Sequence, residues 1–200
     1  MAATEQAACI GFSAPGDRVH SIREAAAREA TRWYACWTRS RHEKRVHRML
    51  EQRGIEAFLP LVARERQWRD RRRIIELPLF PSYVFGRFDL RDAPLVLGVP
   101  GVAGLVRTAG RPAAIAEAEL ENVRRFAEML RNAGIEPEPC QYFARGEAVE
   151  VVAGPFRGLR GVVQELRGRS RVVVGLRAIG QGMALTIDAR SLVSTGRELT

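Results

Sequence analysis

The chain is almost without lysine: Lys44 is the single one, so arginine carries its basic character. Cysteine is scarce as well. Cys9, Cys36 and Cys140 are odd in number, widely spaced and free of any CxxC pair, which argues against a disulfide framework or a thiolate zinc site and fits a reducing cytoplasm. His20, His42 and His47 offer no pair at helical i, i+4 spacing, so neither a metal nor a cofactor is expected. No apolar run approaches the roughly 20 residues of a membrane helix. The N-terminus has no basic start followed by an apolar stretch, so no secretory signal is expected. The glycine-containing stretch from Gly154 to Gly161 lacks the Gly-Lys-Ser/Thr ending of a phosphate loop and lies between strands. No nucleophile stands beside a plausible base, so the chain does not read as an enzyme.

What the chain has is focused positive charge. The net charge is +9, and residues 31–73 alone carry 13 basic and 5 acidic side chains. A basic surface concentrated in one stretch suits a polyanionic partner, most simply nucleic acid; the plainer alternative is a solvated arginine-rich face.

Residues 1–30 show no clear hydrophobic periodicity and read as an extension. Regular structure is expected from Arg32. Trp33-Tyr34-Ala35-Cys36-Trp37 suits a buried strand. Ser40 with Glu43 reads as a capping box, Val46, Met49 and Leu50 place one helix face inward, and Gly54 ends that helix. Ile55 to Val62 reads as a second strand limited by Pro60. The polar run from Arg64 to Arg73 reads as a hairpin tip, followed by one long strand through Pro78-Leu79-Phe80-Pro81-Ser82-Tyr83-Val84-Phe85. A short helix near Pro94, a strand over 102–107 and a helix over 116–131, stopped by Gly134, complete an α+β domain over residues 31–134, an antiparallel sheet flanked by helices. Ile135-Glu136-Pro137-Glu138-Pro139 has a linker composition, and the linker is set at 135–143. Short valine-rich runs separated by glycine-containing turns over 144–195 predict a small all-β barrel.

Three segments in this order resemble the NusG/RfaH family of transcription elongation and antitermination factors. They are Trp33-Tyr34, the run from Pro78 to Phe85, and Gly146-Glu147-Ala148-Val149-Glu150-Val151 leading into Gly154-Pro155-Phe156-Arg157-Gly158 and Gly161. The resemblance implies an N-terminal domain of the NGN type that binds RNA polymerase and an SH3-like KOW barrel, in a cytoplasmic monomer. On this basis the polymerase surface would include Trp33, Trp37, Phe80, Pro81, Tyr83 and Phe85. Alternation alone leaves open which of these face the core. Contact with the non-template DNA strand would fall to Arg39 and Arg45, with Arg48 and Arg53 nearby. Arg69, Arg71, Arg72 and Arg73 on the hairpin would reach DNA or keep an edge soluble. The KOW motif would comprise Gly154, Pro155, Phe156, Gly158 and Gly161. Ile179 matches a position that meets a small-subunit ribosomal protein, and Rho is the other partner implied. A second polymerase contact uses a hydroxyl-rich motif in RfaH-like members; residues 89–95 here carry no hydroxyl, so it is not expected.

The arginine-laden helix and the Pro78-Leu79-Phe80-Pro81 run lean toward a specialised, RfaH-like paralogue. The valines, costly in a helix, predict that the C-terminal domain rests as a barrel on a mobile linker, leaving the polymerase surface free. The competing reading is a ribosome- or RNA-associated KOW protein, which accounts for the barrel and the charge but not for the aromatic strand.

Overall fold

The computed structural model describes residues 31–67, 72–142, 146–166 and 169–196. The extension over 1–30 and Arg69 and Arg71 therefore lie outside the described residues. Strand β1 (Arg32–Thr38) runs through the first sheet, antiparallel to β5 (Tyr83–Phe88), which carries β2 (Glu56–Phe58) on its far side. On its other edge β1 pairs with β6 (Val102–Leu105) near one end and β9 (Ala114–Ile115) near the other. Between these two lies a short hairpin of β7 (Arg107–Thr108) and β8 (Arg111–Pro112).

Both faces of β1 are covered. Tyr34 and Cys36 join Val84 and Phe88 under helices α1 (Glu43–Gln52) and α2 (Ala93–Leu97), which contribute Val46, Leu50 and Val96. Trp33 and Ala35 join Phe85 under helix α3 (Glu117–Ala133), which contributes Leu120, Val123, Phe126 and Leu130. Val46 and Leu50 sit one turn apart on α1, so one stripe is buried while Lys44, Arg45 and Arg48 stay exposed. Burying each such aliphatic side chain contributes about 1.5–3 kcal/mol. Gly54 and Gly134, at φ 75° and 64°, follow α1 and α3 in the left-handed conformation that stops them.

Three expectations are corrected here. Pro60 splits the second strand. β2 stays in the main sheet, while β3 (Leu61–Gln67) leaves it to pair with β4 (Arg72–Pro78) as a two-stranded ribbon. The long aromatic strand is broken by a turn over 79–82, where Ser82 takes φ 67°. Pro78 and Pro81 lack the N–H a ladder requires, so the chain turns before β5 begins at Tyr83. Glu43 closes no capping box. The N-cap of α1 is His42, without a side-chain bond, and the Glu43 carboxylate instead accepts the Ser82 N–H at 2.8 Å.

The linker is corrected as well. Glu138–Gln141 forms β10, an outer strand of the second sheet paired with β14 (Gln181–Thr186), with Pro139 opposite Met183. An outer strand tolerates a proline because one side of its ladder is unpaired. From β14 the sheet continues through β13 (Arg169–Leu176), β12 (Arg160–Leu166) and β11 (Glu147–Val151) to β15 (Leu192–Ser194), all antiparallel.

This barrel rests on α3 and is not held apart from it. The Phe126 and Phe156 rings lie 6.4 Å apart. The Asn122 amide brackets Arg160, donating to its carbonyl at 2.7 Å and accepting its N–H at 3.2 Å. Burial pushes the carboxyl of Glu119, one turn before, upward against the opposing pull of Arg177.

Gly161 shows what the barrel demands of its sequence. A Cβ there would lie 2.6 Å from Val172 Cγ1 and 2.7 Å from the Val173 carbonyl oxygen. Gly161→Ala is therefore expected to cost about 1–3 kcal/mol by overpacking, read as a lower urea midpoint at unchanged slope. Gly104→Ala, where nothing lies within 4 Å of the added carbon, is the silent control.

Candidate functional site

The six aromatic and proline positions divide sharply. Trp33, Phe80 and Phe85 are 2%, 1% and 0% exposed and belong to one core cluster. The Phe80 ring meets Phe85 edge-on at 6.2 Å. Trp33 donates its indole N–H to Glu117 at 2.9 Å, tying β1 to the first turn of α3. These three are core residues of the domain. Trp37 is different: it is 55% exposed, Pro81 is exposed and Tyr83 half-buried.

The sheet register brings this second group together. Trp37 stands opposite Tyr83 on β5 and opposite Gly104 on β6. Tyr83, Trp37 and Gly104 thus form one row across three strands, on the sheet face whose other end α3 covers. Gly104 leaves open space beside the indole. An exposed indole and a half-buried phenol on a rigid sheet supply large contact area at little entropic cost. Phe58 was missed by the sequence reading. It is half-buried, its ring lies 6.2 Å from Phe85, and the Arg124 guanidinium sits 5.0 Å above it. Only its place in β2, beside β5, reveals it.

The arginines divide too. Arg39 is exposed just after β1, and Arg45 and Arg48 are exposed along α1. Arg53 is a structural residue instead: its guanidinium donates to the carbonyls of Leu95 at 2.6 Å and Gly98 at 3.3 Å, holding the end of α2. Arg72 and Arg73 are exposed on the ribbon, Arg72 lying 3.5 Å from Glu65. Lys44 reaches Glu76 of β4 at 4.0 Å, so the basic helix and the basic ribbon are neighbours.

On the barrel, Gly154 and Gly158 turn with φ 81° and 85°, and Phe156 between them is buried against α3. Gly161 lies in β12 at the close approach described above. Ile179 is half-buried at the end of a 3-10 turn (Arg177–Ile179) that touches β9 of the first domain. Burial pushes the Cys36 thiol up to about 12, which leaves it without nucleophilic character. Among the described residues no group of three or more metal-ligating side chains occurs, and no helix is long and apolar enough to cross a membrane.

The chain thus joins an α+β sheet with an aromatic row at one end to an antiparallel barrel packed on α3. Residues 31–124 match the family described as transcription termination factor NusG. The transcription termination/antitermination protein NusG of Pseudomonas aeruginosa is 30% identical over 172 residues, covering 80% of this chain and 96% of that protein. The same protein of Rickettsia bellii is 24% identical over 182 residues, covering 85% of this chain and 93% of its own. A solved structure described as domain interaction in Thermotoga maritima NusG aligns with 82% of this chain and 97% of its own, at 24% identity and a TM-score of 0.45. The chain belongs to the NusG family of transcription termination and antitermination factors, which are not enzymes.

The two tryptophans of β1 are expected to separate cleanly on substitution. Trp33→Ala empties a core site and loses the bond to Glu117, at a cost of about 3–5 kcal/mol. Trp37→Ala is expected to change the chemical-denaturation free energy by less than about 0.5 kcal/mol.

Proposed function

We propose that this protein binds RNA polymerase through the row formed by Trp37 and Tyr83, with Pro81 at its rim. The exposed Trp37 in register with Tyr83 carries this reading. An exposed indole in register with a half-buried phenol is the kind of apolar surface that marks an interaction site, and this domain leaves Trp37 open while burying Trp33, Phe80 and Phe85. Arg39, Arg45 and Arg48 face the non-template DNA strand of the transcription bubble, and Arg72 and Arg73 extend the same basic surface along the ribbon. The barrel recruits a second partner, a small-subunit ribosomal protein or Rho, through the region of Ile179. The protein works as a cytoplasmic monomer. The arginine content of this surface supports a specialised paralogue acting on few operons rather than a general factor. Chromatin immunoprecipitation returning one or a few loci bears this out, and occupancy across most transcribed genes overturns it.

Tyr83→Ala is expected to weaken binding to core RNA polymerase by about 2 kcal/mol, a loss of roughly thirtyfold in affinity, with the circular dichroism spectrum unchanged. A folded variant that binds normally removes the aromatic row from the interface. Replacing Arg39 and Arg45 with glutamine is expected to weaken binding to a bubble-containing complex. The slope of log affinity against log salt should fall by about one for each phosphate left without its arginine. Arg53→Gln, with its side chain already committed to α2, is expected to leave that slope unchanged.

A further inference from the structure

Thr38 and Glu43 are the buried polar side chains among the described residues, and both belong to residues that bond the backbone of Ser82. Glu43 accepts the Ser82 N–H at 2.8 Å from the first turn of α1, across 39 positions of sequence. The Thr38 N–H, at the end of β1, donates to the Ser82 carbonyl at 2.8 Å. Ser82 itself sits at φ 67°, a conformation that a residue with a side chain adopts at a cost. A carboxylate with 6% exposure is also costly to bury. Two unfavourable features therefore meet at one hydrogen bond. They meet between Pro81 and Tyr83 on one side and the neighbours of Glu43, the exposed Lys44 and Arg45, on the other.

We infer that Glu43 is a positioning residue: its carboxylate locks the turn over 79–82 in its left-handed form and thereby fixes the aromatic row relative to the arginine face of α1. The inference rests on the proposed function for its binding consequence and on the geometry alone for its local one. Among the described residues the Glu43 carboxylate is the acceptor that the Ser82 N–H finds. Removing it leaves a donor unsatisfied at a strained residue, and the turn relaxes toward right-handed or extended backbone. Tyr83, the next residue, then leaves its register opposite Trp37. The aromatic and basic surfaces lose their fixed spacing although neither has been altered.

The test compares four full-length variants with the parent chain. Glu43→Ala removes the acceptor. Glu43→Gln keeps a carbonyl oxygen in its place. Ser82→Gly removes the conformational penalty, and the fourth variant combines Glu43→Ala with Ser82→Gly. Two readouts are taken on each: hydrogen exchange of the Ser82 and Tyr83 amides in the free protein, and affinity for core RNA polymerase. Glu43→Ala is expected to lose protection at Ser82 and about tenfold in affinity. Glu43→Gln is expected to keep both within about twofold, and the double variant to recover most of the affinity because glycine holds φ near 67° unaided. If Glu43→Ala keeps its Ser82 protection, or the double variant fails to recover the affinity that Glu43→Ala loses, Glu43 only fills space and the inference falls. A parent chain that does not bind polymerase overturns the functional reading instead. The exchange data then decide the role of Glu43 by themselves.

Discussion

Burial of β1 on both faces is the constraint on which the rest of the structure depends. A strand covered on one side yields alternating residues, half for the core and half for solvent. β1 has no such freedom: Trp33 and Ala35 are enclosed beneath α3, Tyr34 and Cys36 beneath α1 and α2. Along β1, the core residues end where the covering helices end. Trp37 occupies that place, next to β6 and the turn before β5. The row proposed to bind polymerase is thus the exposed end of the same sheet that makes the core. Its rigidity follows, since Trp37 is held by strand pairing on both sides and needs no loop to present it.

The sequence was legible where local chemistry decided the outcome. Val46 and Leu50 announced α1, Leu120, Val123 and Leu130 announced α3, and Gly54 and Gly134 their ends. The valines of the barrel declared strands because β-branched side chains disfavour helix and suit a pleated surface. Legibility failed where a distant partner decided. The run from Pro78 to Phe85 carries aromatic alternation on both sides of a turn; its two prolines hint at the break, and the bonds from Thr38 and Glu43 to Ser82 place it. Glu43 fits a local capping motif equally well; no local signal favours Ser82 over Ser40. Arg53 resembles its exposed neighbours in sequence, yet Leu95 and Gly98 take its guanidinium. Pro137 and Pro139 spell a linker unless a strand of another sheet is waiting to pair, as β14 is.

The second sheet changes what α3 is for. Leu120, Val123 and Leu130 alone would make it an ordinary amphipathic helix covering a sheet. Asn122 and Phe126 form a further face, and the barrel takes it: the Asn122 amide pairs with the backbone of Arg160 as a strand neighbour would. Phe156 explains a motif position by packing. The turn between Gly154 and Gly158 presents its ring to Phe126. The half-buried Ile179 lies on the side of the barrel that meets β9, so the region proposed for recruitment and the docking region of this domain overlap.

An open indole at the uncovered end of a sheet carries a hazard as well as a use. Uncovered apolar surface and unpaired strand edges promote association between copies of the same chain. The row around Trp37 has this character, and Ile74, 77% exposed on the ribbon, adds to it. Arginines are close by in the chain: Arg39 follows Trp37 by two residues, Arg45 and Arg48 lie exposed on α1, and Arg72 and Arg73 precede Ile74 on β4. Two like surfaces approaching each other must bring these charges together, a repulsion that grows as the apolar groups draw near. A polyanionic partner such as the proposed DNA strand would meet the opposite sign of the same field, so the charge that keeps copies apart would draw it in. The row can then dock on protein held beside that nucleic acid. On the proposed reading one distribution of charge, concentrated in residues 31–73, serves both ends.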